Sequence, residues 1–143
     1  KDYKLILAGA DLTSEHIILI KKLKLENHVI NFVNPSNKIL SALYSRAEAL
    51  IFPSHDEGFG WPIIEAQACG CPVFSNYKNP MKEIGNQSLF YFKNSNYLKN
   101  AKFINDKIRF KKNIIKKGFE NLKRFDFNKI KTKYIKFFKN QCL

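Results

Sequence analysis

In the stretch His55 to Val73, HDEGFGWPIIEAQACGCPV, Glu57 and Glu65 lie eight positions apart, separated by a glycine-aromatic-glycine turn, a proline and an aliphatic pair. Gly58 and Gly60 allow backbone conformations closed to other residues and let a ligand approach closely. Pro62 suits the first turn of a helix, where its missing N–H is not needed. A helix that starts between Phe59 and Ile63 offers free N–H groups and the positive end of its dipole to a phosphate. Glu57 then sits in the loop before the helix and Glu65 about one turn inside it, so both can face one cleft. Ionised carboxylates only accept hydrogen bonds, which suits them to hydroxyls rather than to phosphate. An anion cradle between two hydroxyl acceptors describes a sugar nucleotide: diphosphate in the middle, ribose on one side, transferred sugar on the other. Either acid alone is better explained by helix-dipole compensation or loop solvation. Together with G-F-G-W-P, the pair is better explained as a site.

The elements around this stretch place it. Lys4 to Ala8, KLILA, is a short apolar run ending at Gly9 and reads as a strand buried on both faces. Thr13 and Ser14 are candidate caps for a helix running to about Asn27. His28 to Val33 is a second strand, and Asn34-Pro35-Ser36 turns into a helix carrying Ile39, Leu40, Leu43, Tyr44 and Ala47. Ala49 to Phe52 is a third strand, followed by a helix from about Pro62 to Cys69, a strand from Pro72 to Ser75 and a short run at Leu89 to Phe92. Such alternation implies a parallel sheet with helices on both faces, and the loop after Phe52 lies at the carboxyl end of a strand, where ligands of such sheets bind. Gly70 is expected to end its helix before Pro72. From Asn96 to Gln141 the chain is lysine-rich and helical, with Ile130, Tyr134, Phe137 and Phe138 on one face and Lys129, Lys131, Lys133, Lys136 and Lys139 over much of the rest.

Composition sets the outer limits. The 143 residues suit one domain with a core of its own, and 45% hydrophobic content excludes overall disorder. A net charge of +13 implies attraction to an anionic partner without choosing among nucleic acid, acidic lipid and phosphorylated small molecules. Lysine and asparagine are enriched along the whole chain, so part of that charge is compositional. No apolar run approaches the ~18 residues needed to span a bilayer, and no leader pattern opens the chain, so a cytoplasmic location is expected. Cys69, Cys71 and Cys142 lack the spacing of a zinc site and are expected as free thiols, and His16, His28 and His55 are scattered.

The run E-G-F-G-W-P-I-I-E-A-Q-A-C-G-C-P-V closely resembles the signature of glycosyltransferase family 4, the glycosyl transferases group 1, retaining enzymes of the GT-B fold whose two acids are also eight positions apart. The flanks agree: L-Y-S-R-A-E-A-L-I-F-P-S before it, N-P-M-K-E-I-G after it, and R-F-D-F near Arg124 where the last helix of such domains begins. The resemblance covers nearly the whole chain and is to the C-terminal, donor-binding half of that fold. It implies that Glu57 contacts donor-sugar hydroxyls and is the catalytic residue, and that Glu65 holds the ribose. It also implies that the backbone of Phe59, Gly60 and Trp61 holds the sugar or its phosphate, with Ile63 nearby and Val33 and Lys38 near the base. The implied reaction is metal-independent transfer from a nucleotide-diphosphate sugar, with retention, to a polysaccharide, glycolipid or similar acceptor.

Against that family the chain departs at its start. The family's acceptor domain is not in this sequence, and neither are the first strand and the G-R-x-x-x-x-K-like loop that open the donor domain. In a 3-2-1-4-5-6 sheet that first strand is central, so residues 1–143 are expected to be a partial donor domain, a fragment of a longer protein or a truncated reading frame. A non-catalytic nucleotide-sugar-binding remnant is the alternative reading. Expected partners are a nucleotide sugar and a glycan or lipid-linked acceptor, with peripheral contact at the inner face of the cell membrane as a further reading from the basic face. A nucleic-acid partner is not expected, because no RNA or DNA motif is present. Trp61 and Tyr44 are expected to pack, and Lys78 and Lys82 to be solvated.

Overall fold

In a computed structural model, which describes residues 3–93, 96–132 and 136, the chain forms two compact units, Lys1–Leu43 and Tyr44–Leu143. The first contains β1 (Leu5–Gly9), α1 (Ser14–Lys22) and β2 (Val29–Val33), and most of α2 (Asn37–Arg46). β1 and β2 pair in parallel from Leu5 opposite Val29 to Gly9 opposite Val33. Thr13 caps α1 as expected, with an unanticipated partner. Its hydroxyl accepts from the His16 N–H at 3.3 Å while His16 Nδ1 accepts from the Thr13 N–H at 3.2 Å, a capping box with histidine in the place usually held by Glu or Gln. The Ser36 hydroxyl likewise accepts from the Ile39 N–H at 3.4 Å at the start of α2.

Two expectations for this unit are corrected. α1 stops at Lys22, short of Asn27, because Lys24 takes a left-handed conformation (φ 54°). The Lys24 N–H bonds Lys21 O and the Leu25 N–H bonds Ile20 O, both at 3.0 Å, which is the helix-ending turn usually built on glycine. β1 is not buried on both faces either: Leu5 is 49% exposed and Ile6 40%. A two-stranded ladder with its helices is too small to enclose a strand.

The second unit holds the core. β3 (Leu50–Phe52), β4 (Val73–Asn76) and β5 (Phe90–Phe92) form a parallel sheet in that order, with α3 (Trp61–Ala68), α4 (Met81–Gly85), α5 (Tyr97–Lys107) and α6 (Lys111–Leu122) around it. Side chains of a strand alternate between faces, and Val73, Phe74 and Ser75 are all 0% exposed, so both faces of β4 are covered. Phe74 stacks on Phe90 at 4.8 Å and meets Phe103 of α5 edge-on at 6.0 Å. Ile63 and Ala66 of α3 are also fully buried. The result is the expected Rossmann-like α/β arrangement of parallel strands with helices on both sides. The ladder itself is in two pieces, β1-β2 and β3-β4-β5, rather than one sheet.

The expected helical C-terminal segment is broken into α5 and α6 with 3-10 turns at Ile108–Phe110 and Lys123–Phe125, then helical residues 127–132, whose first turn Asp126 caps by accepting from the Lys129 N–H at 3.0 Å. Of the apolar face proposed there, Ile130 is 36% exposed, while Tyr134, Phe137 and Phe138, with Lys133, Lys139 and Cys142, lie outside the described residues. α4 was not anticipated.

Gly70 ends α3 as expected. It sits at φ 70°, and its N–H bonds Gln67 O at 3.0 Å while the Cys71 N–H bonds Ala66 O at 2.8 Å. The turn delivers Cys71 to the interior, 2% exposed, where burial pushes its thiol up to about 11. At pH 8 only about one such thiol in a thousand is ionised, and the thiolate is the reacting form. Iodoacetamide followed by mass spectrometry is therefore expected to label Cys71 over about a hundredfold more slowly in the folded protein than in urea.

Candidate functional site

The loop after β3 is tied to the neighbouring strand. Asn76, the last residue of β4, donates from Nδ2 to Pro53 O at 2.7 Å and to Ser54 O at 3.1 Å. Parallel pairing of β3 with β4 puts both carboxyl ends on one edge of the sheet, so one side-chain amide fixes where the loop leaves it. Ser54 Oγ then donates to Asp56 O at 3.4 Å, turning the chain toward Glu57, which is half-buried.

Beyond Gly58 the two aromatics of the motif divide their work. Phe59 packs inward, 6.0 Å edge-on to Phe125 and 4.8 Å from Trp61. Trp61 is left 64% exposed at the first turn of α3, contrary to the packing expected of it, because Phe59 occupies the inward place. Between them Gly60 is the N-cap at φ 97°, a left-handed conformation that side chains rarely adopt. No side chain caps α3, Pro62 has no N–H, and the Ile63 N–H closes on Gly60 O at 3.0 Å. The Ile63 side chain is in the core, 0% exposed, so its place in the motif is to seat the helix.

Glu65 is exposed on α3, one turn in, and it has a partner. The hydroxyl of Tyr44, a residue only 9% exposed, donates to its Oε2 at 3.3 Å. Burial first, and then the Glu65 charge, push the Tyr44 phenol up, so it stays a donor. Tyr44 is therefore core, as expected, but with its one polar atom spent on a motif acid. Tyr44, Asn76 and Phe125 are the residues that sequence reasoning missed around the motif. Tyr44 and Phe125 stand in the flanking runs quoted above and Asn76 in neither, and only the fold brings their contacts to the motif.

The remaining predicted positions are elsewhere. Val33 ends β2 and Lys38 lies in the first turn of α2, both exposed, and both belong to the first unit. Lys78 is exposed, and Lys82 holds its ammonium 4.8 Å over the Tyr77 ring. Among the described residues no group of three or more His, Cys, Asp or Glu is placed to hold a metal.

The model of the family "Glycosyl transferases group 1" matches residues 1–120. The chain belongs to this family. It is 36% identical over 96 residues to the serotype-specific mannosyltransferase WbdA of Escherichia coli, a match covering 64% of this chain and 12% of that protein. It is 33% identical over 121 residues to the O-antigen chain mannosyltransferase RfbU of Salmonella typhimurium, covering 74% of this chain and 32% of the relative. A D-inositol 3-phosphate glycosyltransferase of Actinosynnema mirum is 46% identical over 46 residues, 32% of this chain and 11% of the other. The chain thus spans a third or less of the length of these relatives.

Proposed function

We propose that residues 1–143 are part of the donor-binding half of a retaining glycosyltransferase. The observation that carries this reading is the pairing of half-buried Glu57, in the loop at the carboxyl end of β3, with exposed Glu65 on α3, on either side of a helix start that no side chain caps. Glu57 takes donor-sugar hydroxyls, and Glu65 takes the ribose. Phe59, Gly60 and Trp61 lie along the diphosphate. The bond between the anomeric carbon and the diphosphate breaks, the nucleoside diphosphate departs, and an acceptor hydroxyl takes that carbon on the same face as its proton passes to the departing diphosphate. The bare helix start and backbone amides supply the positive end without a metal ion.

Two relatives are named as mannosyltransferases, so a mannosyl nucleoside diphosphate is the first donor to try, with a growing polysaccharide or lipid-linked glycan as acceptor. Among the described residues no helix is long and apolar enough to cross a membrane, and peripheral contact at the inner membrane face is the further reading that a net charge of +13 supports.

The test is a donor panel of GDP-, UDP- and ADP-hexoses, mannosyl first, given to the full-length protein with a lipid-linked glycan acceptor. Sugar incorporation with retained anomeric configuration by NMR, unchanged by EDTA, is the expected result. Inversion would overturn the retaining mechanism, and neither turnover nor binding for any donor would overturn the enzyme reading.

A further inference from the structure

A carboxylate on an exposed helix face is ordinarily mobile, because the Glu side chain has three rotatable bonds and no reason to hold one rotamer in water. Glu65 differs from that picture at one atom: its Oε2 accepts the Tyr44 hydroxyl at 3.3 Å. Tyr44 is itself fixed. It lies at the end of α2, 9% exposed, with the chain entering β3 just beyond it. The phenol has a single donor, and a carboxylate has two oxygens. One lone pair of Glu65 Oε2 is thereby engaged, and the rest of the carboxylate keeps its acceptor capacity.

We propose that Tyr44 is a positioning residue for nucleotide recognition, holding Glu65 in the orientation that accepts from the ribose hydroxyls. The proposal rests on the reading of Glu65 as the ribose acceptor. The hydrogen bond removes the rotamer search from Glu65 before the nucleotide arrives, and a pre-oriented acceptor binds more tightly than one ordered on contact. The phenol's raised pKa, caused first by burial and then by Glu65, leaves the donor protonated across the physiological range, so this orientation does not depend on pH there. Tyr44 touches no part of the ligand in this scheme and acts through Glu65 alone.

Two matched probes test it in the full-length protein: GDP and UDP, each against its 2′,3′-dideoxy counterpart, by isothermal titration. The ribo to dideoxy affinity ratio isolates the hydroxyl contacts. Tyr44→Phe, which keeps the ring and removes only the donor, is expected to cut that ratio by about threefold to tenfold and leave dideoxy binding unchanged. In a Glu65→Gln background the same change is expected to have no further effect on the ratio. A ratio that Glu65→Gln lowers but Tyr44→Phe leaves intact would overturn the positioning role while sparing Glu65 as ribose acceptor. Equal weakening of ribo and dideoxy binding by Tyr44→Phe, with a lower melting temperature, would show packing alone and also overturn it. If the wild-type protein binds ribo and dideoxy forms equally, the Glu65 reading itself fails, and Tyr44 with it.

Discussion

Replacing Glu57 by alanine is expected to lower kcat/KM for sugar transfer in the full-length protein by about 10²- to 10³-fold, with the melting temperature unchanged. Activity and stability separate here because of where Glu57 sits. The loop is anchored on one side by Asn76 on Pro53 and Ser54 and on the other by Phe59 against Phe125, and the core beneath it is built from Ile63, Ala66, Val73 and Phe74. Neither anchor passes through the Glu57 side chain. What alanine removes, under the proposed function, is an acceptor for hydroxyls of the sugar, and contacts at a reacting ring strengthen as charge develops there. Glu57→Gln keeps one oxygen acceptor and loses the charge, so it should fall between wild type and alanine. The same comparison distinguishes a working enzyme from a remnant that binds donor without turnover. A loss smaller than about threefold would remove Glu57 from the reaction, since it is within the range of ordinary surface substitutions.

What the chain revealed before its structure, and what it withheld, follows from the range over which each signal acts. The motif is contiguous, so its glycines, proline and acids could be read together, and Gly60 at φ 97° and Gly70 at φ 70° do what only glycine does easily. Strand and helix alternation is also local, and every strand forecast in the described residues is present. The end of α1 was misjudged because Lys24 adopts the conformation that the rule assigns to glycine. The burial of β1 was misjudged because a run such as KLILA records what a strand is suited to, not how much protein surrounds it. α4 escaped notice because five residues, MKEIG, are too few to show a helical period. Tyr44 over Glu65, Asn76 beneath the loop and Phe125 against Phe59 are tertiary events, and no spacing encodes them.

These long-range contacts share a pattern. Each of the chemically suggestive residues is held by a partner from a different element: Glu65 by α2, the Glu57 loop by β4, and Phe59 by the 3-10 turn after α6. The site is therefore only as well ordered as the packing of Tyr44, β4 and α6 against α3. α6 matters most for that packing, because it carries a buried polar cluster in contact with α3.

Asn121 of α6 is the centre of that cluster, and Asn121→Ala is expected to cost about 2–4 kcal/mol of folding stability. Its Nδ2 donates to Gln67 Oε1 and to Ile84 O, both at 2.9 Å, and its Oδ1 accepts from Arg124 Nη1 at 2.8 Å. Gln67 in turn donates to Ser88 Oγ at 2.7 Å, and Arg124 reaches the Glu83 carbonyl at 3.2 Å. One side chain thus joins α3, α4 and the turn after α6. Asn121 is 7% exposed and Gln67 3%, so water cannot readily replace the lost partner, and the stranded Gln67 oxygen carries its full desolvation cost. Gly118 adds to the fit, since a Cβ there would lie 3.2 Å from Gln67 Cγ. The loss should appear as a fall in melting temperature of roughly 5–15 °C and a lower urea midpoint at unchanged m-value. Well below that temperature, where α6 remains seated on α3, donor affinity should survive. In a double-mutant cycle, Gln67→Ala and Asn121→Ala should couple by about 1–2 kcal/mol. Additive losses would mean that the two amides act separately, and a single loss under about 1 kcal/mol would mean that α6 is held by its apolar residues alone.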